Sequence, residues 1–416
     1  MTESLYSIRA VAAPMPETDD PTPEQLVAAA IAMRPRLREL QGVHAELGGY
    51  SEEIYQAFLC ARFYDILKPK RYGGLQYPLR VFFQVALEIT RGDPGVGWSY
   101  LLSTGHAYQT ASYFSERAQD EAFSADPFIA PSRAIPMGTA TPVDGGYIVD
   151  GTWDYCSGSN FSSHFMPVAP VINADGSRPL LMFIIGRDDY TILDDWGGDR
   201  TVGLQASSSN SITVDQVFVP EHMAVPYDFK GHQWDDTGTV GYQLHDDPLY
   251  LGRSLVYFYS GLVTTPVGAA WAALDEWEAL MQRPTSFPPR VPRTESPEYQ
   301  LWYGRLLSLV DASTTLLLSA QDIAADASRF WTEGGPEYGI REDARVRGIV
   351  LRAAELASEA VMLAIQTAGS SASKGDSKLG KYARDVLMYR THIGAQFDAL
   401  YAANGRTAMT GEPPTT

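Results

Sequence analysis

The stretch GGYIVDGTWDYCSGSNFSSHF, residues 145–165, decides the fold class. A glycine pair turns the chain, YIVDGTWDY then concentrates β-branched and aromatic residues, and a Ser-Gly-Ser cluster ends the run, which is the pattern of a strand leading into a turn. SHFMPVAPVI, LLMFIIG and SITVDQVFVP repeat that texture, punctuated by NADGS and WGGDR, so residues 128–229 are expected to form one β unit. On either side the period becomes helical. Apolar positions at helical spacing occupy 23–46 and 51–63, with Ser51 the expected N-cap, while Pro78 and the Asp93-Pro94 pair start two further helices. Beyond Tyr250 four long helical segments are expected, near 250–283, 297–332, 337–369 and 378–403. Helices, strands and helices in separate blocks predict an α+β class rather than a doubly wound sheet. The expected division is a flexible acidic arm (1–22), an N-terminal helical domain (23–127), a central β domain (128–229), a loop (230–250) and a C-terminal helical bundle (251–416).

Charge and composition exclude several functions. A net charge of −18 over 416 residues repels a phosphate polymer or an anionic bilayer, so neither nucleic acid nor membrane is an expected partner. Cys60 and Cys156 are too few for a disulfide scaffold or a thiolate metal site and suit free thiols in the cytoplasm, and the first residues lack the apolar core of a signal peptide. LVYFYSGLVTTPVGAAWAAL (255–274) is uncharged over a membrane-spanning length, but its Ser, Thr, Pro and Gly residues fit a helix buried in a helical domain better. No G-x-G-x-x-G follows a strand, and GSSASKGDS places Lys374 before Gly375, the reverse of a P-loop. H-E-x-x-H, C-x-x-C and G-x-S-x-G are absent and no two histidines share ligand spacing on a helix, so no metal is expected.

Three segments, in order, carry a resemblance: KPKRYGGLQ (68–76) with GDPGVGWSYLLSTGH (92–106), the stretch 145–165, and GKYARDVLMYRTHIGAQFDALYAANGR (380–406). Together they resemble the acyl-CoA dehydrogenase superfamily. Within it they are most similar to the flavin-dependent monooxygenase branch, the 4-hydroxyphenylacetate 3-hydroxylase-like oxygenase components of two-component aromatic hydroxylases. The resemblance implies a helical N-terminal domain, a central β barrel and a C-terminal four-helix bundle, assembled as a homotetramer in which the uncharged helix 255–274 also meets a second subunit. It further implies reduced FMN or FAD supplied by a separate flavin reductase, dioxygen as co-substrate, and a flavin hydroperoxide that hydroxylates a small phenol-like substrate. The dehydrogenases use a glutamate base at either of two places. Here GRSLVYFYSGLVTTPVG contains no carboxylate and Thr391-His392-Ile393-Gly394 stands at the other. Tyr259 occupies the position where an FAD-diphosphate arginine is often found. An acyl-CoA dehydrogenase-type flavoprotein and an N- or S-oxygenase of the same branch are the alternatives.

Candidate site residues follow from spacing and resemblance together. Ser99, Leu102, Ser103 and His106 recur at three- and four-residue steps along one helix. By resemblance His106 reaches the substrate pocket, with Trp98 and Ser103. His392 shares a helical face with Asp385, Tyr389 and Gln396, and an imidazole with an ordinary pKa of about 6.5 suits removal of a phenolic proton. Ser157-Gly158 allows close backbone approach to a planar ligand, with the Ser157 hydroxyl on the flavin, Ser159 as its alternative and Trp153 as a pocket wall. Arg253 is expected by resemblance to approach the flavin ring, and the long polar and aromatic 230–250 loop is read as a cover for the substrate pocket, with Trp234 and Tyr242 its candidates. The structural alternatives are a hydrogen-bonded core histidine at 106, a surface histidine at 392, a plain turn at 157 and a flanking charge at 253.

Overall fold

A computed structural model describes residues 20–228, 237–285, 289–375 and 377–414. Thr22 opens α1 (Pro23–Leu47) with a reciprocal capping box, its hydroxyl accepting from the Gln25 amide while Gln25 Oε1 accepts from its own amide. α2 (Glu52–Cys60) lacks the side-chain cap expected of Ser51, whose hydroxyl lies 3.4 Å from His44 Nε2 instead. α3 (Leu79–Gly92), α4 (Pro94–Thr104), α5 (His106–Tyr113) and α6 (Glu116–Ala122) follow. Asp93 caps α4 by accepting from the Gly95 amide at 3.0 Å. The stripe expected on one helix from Ser99 to His106 is divided at Gly105. A Cβ there would lie 2.7 Å from the Leu101 carbonyl and 2.8 Å from the Tyr257 hydroxyl.

Among the described residues nine strands succeed them: β1 (Ser132–Arg133), β2 (Thr139–Val143), β3 (Gly146–Trp153), β4 (His164–Pro170), β5 (Leu180–Phe183), β6 (Ile185–Gly186), β7 (Thr191–Ile192), β8 (Ile212–Pro220) and β9 (Ala224–Pro226). They pair as two sheets, β1-β4-β5-β9 with β6 on β4, and β2-β3-β8-β7, linked by the parallel bridge Ala140–Val171 and by the Met137 amide donating to the Val168 carbonyl. Among the described residues the hydrogen-bonded ring of a closed barrel is therefore not continuous. β4 is buried along nearly its whole length, which is why its sequence reads as one apolar run.

The 230–250 segment contains a short helix, α7 (Val240–His245), and the C-terminal unit is α8 (Leu255–Met281), α9 (Pro297–Thr332), α10 (Ile340–Ala368), α11 (Lys378–Thr391) and α12 (Phe397–Thr410). The fourth expected segment is thus two helices. His392 leaves helical geometry at φ −68°, ψ 146° and its ring caps the next turn. The uncharged α8 is buried from Leu255 to Leu274 except at Phe258 and Leu262, enclosed by α3, α4, α9, α10 and α11 of its own chain. The surface this helix was expected to offer a second subunit is covered within the chain. Exposed apolar side chains lie instead on the outer helices, at Leu301, Ile323 and Phe330 of α9, Met362 of α10 and Leu387 of α11. Among the described residues no helix is long and apolar enough to cross a membrane.

A largely buried ammonium joins these parts. Lys381 Nζ on α11 lies 3.1 Å from Asp93 Oδ1, at the head of α4, and 2.8 Å from Asp385 Oδ2. Asp385 Oδ1 in turn accepts from the Leu204 amide at 2.7 Å, and Asp93 Oδ2 lies 3.4 Å from Nδ1 of the fully buried His44 on α1. Burial opposes ionisation of Asp93, yet Lys381 and His44 hold its carboxyl below the usual range. Removing one member of such a cluster strands the others without compensation. Lys381→Met should lower stability by about 3–5 kcal/mol, read from urea denaturation. A loss below about 1 kcal/mol would show that the cluster does not hold the domains together.

Candidate active site

The turn after β3 is stitched to the loop before β8. Cys156, Gly158 and Ser159 donate their amides to the carbonyls of Asn210, Ser207 and Ser208 at 3.0–3.1 Å. Gly158, at φ +84°, sits so close to α4 that a Cβ would lie 2.5 Å from Ser103 Cβ and 2.6 Å from the Ser99 carbonyl. Three residues here, Tyr155, Leu204 and Ser208, hold φ of +53°, +49° and +50° without being glycine. Each costs on the order of 1–3 kcal/mol, and such strain concentrates where geometry serves a site.

This stitching gathers hydroxyls. Trp98 Nε1 on α4 donates to Ser157 Oγ at 2.9 Å; Ser157 Oγ lies 2.8 Å from Ser209 Oγ, itself 2.7 Å from Ser207 Oγ. Because an indole can only donate, Ser157 accepts there and keeps its own hydrogen for another partner. The three serines line an open cleft of about 390 Å³, within the usual range of small-molecule sites. Trp98, His106, Tyr389 and His392 line it too, with Leu102, Phe258, Leu262 and Leu400 as apolar wall. The edge of Trp98 meets both His392 and Tyr389, with ring centroids 5.4 and 6.4 Å apart.

The backbone fixes opposite tautomers for the two histidines. His106 Nδ1 is 2.6 Å from the Ala130 carbonyl, which can only accept, so Nδ1 carries the proton and Nε2 is the acceptor. His392 Nδ1 accepts from the Gly394 amide at 2.9 Å, so its proton is on Nε2 and the ring donates. Burial pushes both imidazoles down to about 4, and the charge of Arg133 adds to the effect at His392. Burial raises the Tyr389 phenol, and its hydroxyl has no hydrogen-bond partner among the described residues.

Of the residues expected from sequence, the cleft brings together Trp98, His106, Ser157, Tyr389 and His392. Trp153 does not line it; it is fully buried, with Nε1 donating to the Val168 carbonyl. Gly158 and Ser159 support the wall from behind, Ser159 Oγ donating to the Ser208 carbonyl, and Ser103 Oγ bonds back to Ser99 within α4. Arg253, expected beside the flavin ring, does not line this cleft. Its Nε donates to the Tyr338 carbonyl at 2.7 Å and its Nη2 pairs with Glu337 at 2.6 Å, in front of α10. His392 shares no helical stripe with Asp385, which faces Lys381. Trp234 lies outside the described residues, and Tyr242 belongs to α7 without lining the cleft. Sequence reasoning missed Arg133, Tyr155, Trp196, Ser207 and Ser209. The Ser207-Ser208-Ser209 run was a visible signal, whereas nothing local marked Arg133. Among the described residues no group of three or more His, Cys, Asp or Glu side chains could hold a metal ion.

Comparison with known proteins agrees with this architecture. The family described as acyl-CoA dehydrogenase, C-terminal domain, matches residues 260–397. A pigment production hydroxylase of Rhodococcus sp. (strain ATCC 21145) is 29% identical over 349 residues, 82% of this chain and 85% of that protein. The flavin-dependent monooxygenase, oxygenase subunit HsaA, of Mycobacterium tuberculosis (strain CDC 1551 / Oshkosh) is 25% identical over 397 residues, covering 94% of this chain and 96% of that one. A crystal structure of the HsaA monooxygenase from M. tuberculosis superimposes with a TM-score of 0.83 at 25% identity, over 95% of this chain and 99% of that chain.

The histidines set a pH dependence. Their folded pKa of about 4 lies below the unfolded value of about 6.5, so between those limits the unfolded chain binds more protons and stability falls as pH falls. Each contributes on the order of 3 kcal/mol by about pH 4. Urea midpoints should decline from about pH 6.5 downward, and the two imidazole proton resonances should stay unshifted from about pH 8 to about pH 5. A midpoint near 6.5 for either ring would contradict its assignment.

Proposed function

Because this chain belongs to the flavin-dependent monooxygenase branch of the acyl-CoA dehydrogenase superfamily, we propose that it is the oxygenase component of a two-component system that hydroxylates a small phenol-like aromatic. The observation that carries this reading is the cleft's donor set. Two histidines, three tyrosines and three linked serines are in its lining, and among the described residues no aspartate or glutamate is. An acyl-CoA dehydrogenase needs a carboxylate beside the α-carbon of its substrate, and none of the lining residues could serve.

The residues fit a reduced flavin. Trp98, Tyr155 and Trp196 offer flat walls, the Ser157, Ser207 and Ser209 hydroxyls suit ring heteroatoms, and the buried Tyr389 hydroxyl and Arg133 Nε have no hydrogen-bond partner among the described residues. When bound, reduced flavin and dioxygen supply the transferred oxygen atom and the electrons that reduce its twin to water. The chain's own work is to exclude water and orient the aromatic ring. His106 Nε2 is the histidine nitrogen able to accept from a phenolic hydroxyl, and by accepting it raises electron density at the ring carbons. His392 Nε2–H and the Tyr389 hydroxyl serve as donors to oxygen lone pairs. This exchanges the role that sequence assigned to His392, since the Gly394 amide already occupies the nitrogen a base would use. Trp98 holds Ser157 and braces His392, so one ring positions both sides.

A separate flavin reductase supplies the reduced FMN or FAD. The enzyme works in the reducing cytoplasm, which its two free cysteines suit, and as a homotetramer through the apolar positions exposed on α9 and α10. With a generic flavin reductase, NADH and a panel of phenols, one heavy atom from labelled dioxygen should enter the product, detected by mass spectrometry. His106→Ala should cut coupling to product about 10²-fold, the usual scale of lost proton-transfer help. Anaerobic reduction of an artificial acceptor by an acyl-CoA, with no label in any product, would establish the dehydrogenase alternative instead.

A further inference from the structure

A base whose conjugate acid has a pKa near 4 does not hold a phenolic proton at neutral pH, so an ionised ligand needs a different stabilising group. We propose that Arg133 is the anion-recognising residue of the cleft, and that its ligand is a deprotonated aromatic ring: the phenolate of the substrate or the anionic ring of reduced flavin. This rests on the oxygenase reading and deepens it.

Four observations point to Arg133. In a chain of net charge −18, the lining of the cleft holds, among the described residues, one arginine and no carboxylate. Its backbone is fixed in β1, paired in parallel with β4 at Pro167, and the neighbouring Ser132 hydroxyl donates to the Met166 carbonyl at 2.7 Å. The guanidinium lies over the Tyr155 ring, 5.4 Å from its centroid, and Tyr155 meets Trp196 edge-on at 5.7 Å, so the cation is framed by aromatic faces. Its counter-ion, Asp154, is 3.0 Å from Nη2 but 44% exposed against 18% for Arg133, while the buried Nε has no hydrogen-bond partner among the described residues. The pair is therefore lopsided: Asp154 is the more exposed partner, although its Oδ1 is buried against the guanidinium, and it engages Nη2 alone, which leaves the Nε donor unsatisfied.

The surrounding groups agree in sign. His392 Nε2–H and the Tyr389 hydroxyl donate, His106 Nε2 accepts, and the buried Cys156 thiol is pushed up and stays protonated. Arg133 also helps to keep His392 neutral, so the positive charge in this corner resides on the guanidinium. When a phenol ionises here its O–H bond breaks and the proton passes to solvent, with His106 Nε2 as a transient acceptor that cannot retain it. No oxidant or reductant enters this step.

The test uses 4-nitrophenol, whose ionised form absorbs in the visible. Bound to wild-type protein it should ionise about one pH unit below the free phenol, the scale of one charge-assisted hydrogen bond. Arg133→Met should abolish the shift, Arg133→Lys should retain part of it, and Asp154→Asn, which removes the counter-ion, should enlarge it. In a second arm, anaerobic titration with reduced FMN and reduced FAD should show about tenfold weaker binding in Arg133→Met if the flavin is the anion held, and unchanged binding if the substrate is. Circular dichroism of the Lys and Asn variants controls for folding. If Arg133→Met alters neither ligand, if the wild type binds neither, or if Asp154→Asn weakens both, the proposal is wrong. Those results are separable from failure of the oxygenase reading. Label incorporation by the wild type with no dependence on Arg133 removes the arginine alone, whereas anion binding that depends on Arg133 without label incorporation removes the oxygenase.

Discussion

Everything at the cleft depends on the ammonium of Lys381. Held between Asp93 and Asp385, it connects the first turn of α4, the middle of α11 and, through Asp385, the Leu204 amide. Those three segments carry Trp98 and the approach to His106, the approach to His392, and the serines 207 and 209. Burying one cation and two carboxylates is costly unless each finds its partners, and in return such a cluster admits few alternative arrangements. With native stability of about 5–15 kcal/mol, a loss of 3–5 kcal/mol decides whether the domains stay docked.

That rigidity lets the cleft keep conformations the chain would not choose alone. Tyr155, Leu204 and Ser208 remain at positive φ because the turn after β3 and the loop before β8 exchange backbone hydrogen bonds. The result is a row of hydroxyls whose polarity is set at one end by an indole that can only donate. Backbone partners do the same for the imidazoles. A carbonyl makes His106 an acceptor toward the cleft, and an amide makes His392 a donor, so two chemically identical side chains take opposite roles.

Much of the site was legible, for identifiable reasons. Trp98 and His106 fall on strongly patterned helices whose caps, Asp93 and Pro94 among them, are local signals. Ser157 follows a strand and a glycine-rich turn that read clearly. Arg253 has partners, Glu337 and Tyr338, more than eighty residues away that no local pattern announces, while Arg133 sits in a two-residue strand with no periodic signature. His392 was found but given the wrong proton, since a continuous helix was expected where the chain breaks and turns an amide toward the ring.

By itself the sequence determined the order of helical and β blocks, the buried character of α8 and the residue types available for chemistry. Periodicity, caps and turn residues act over a few positions and are written locally. Tertiary structure alone decided which arginine faces the cleft, which nitrogen of each histidine is free, and that α8 is enclosed by its own chain. Hydrogen-bond direction and burial are properties of partners brought together from distant segments, and no local pattern encodes them.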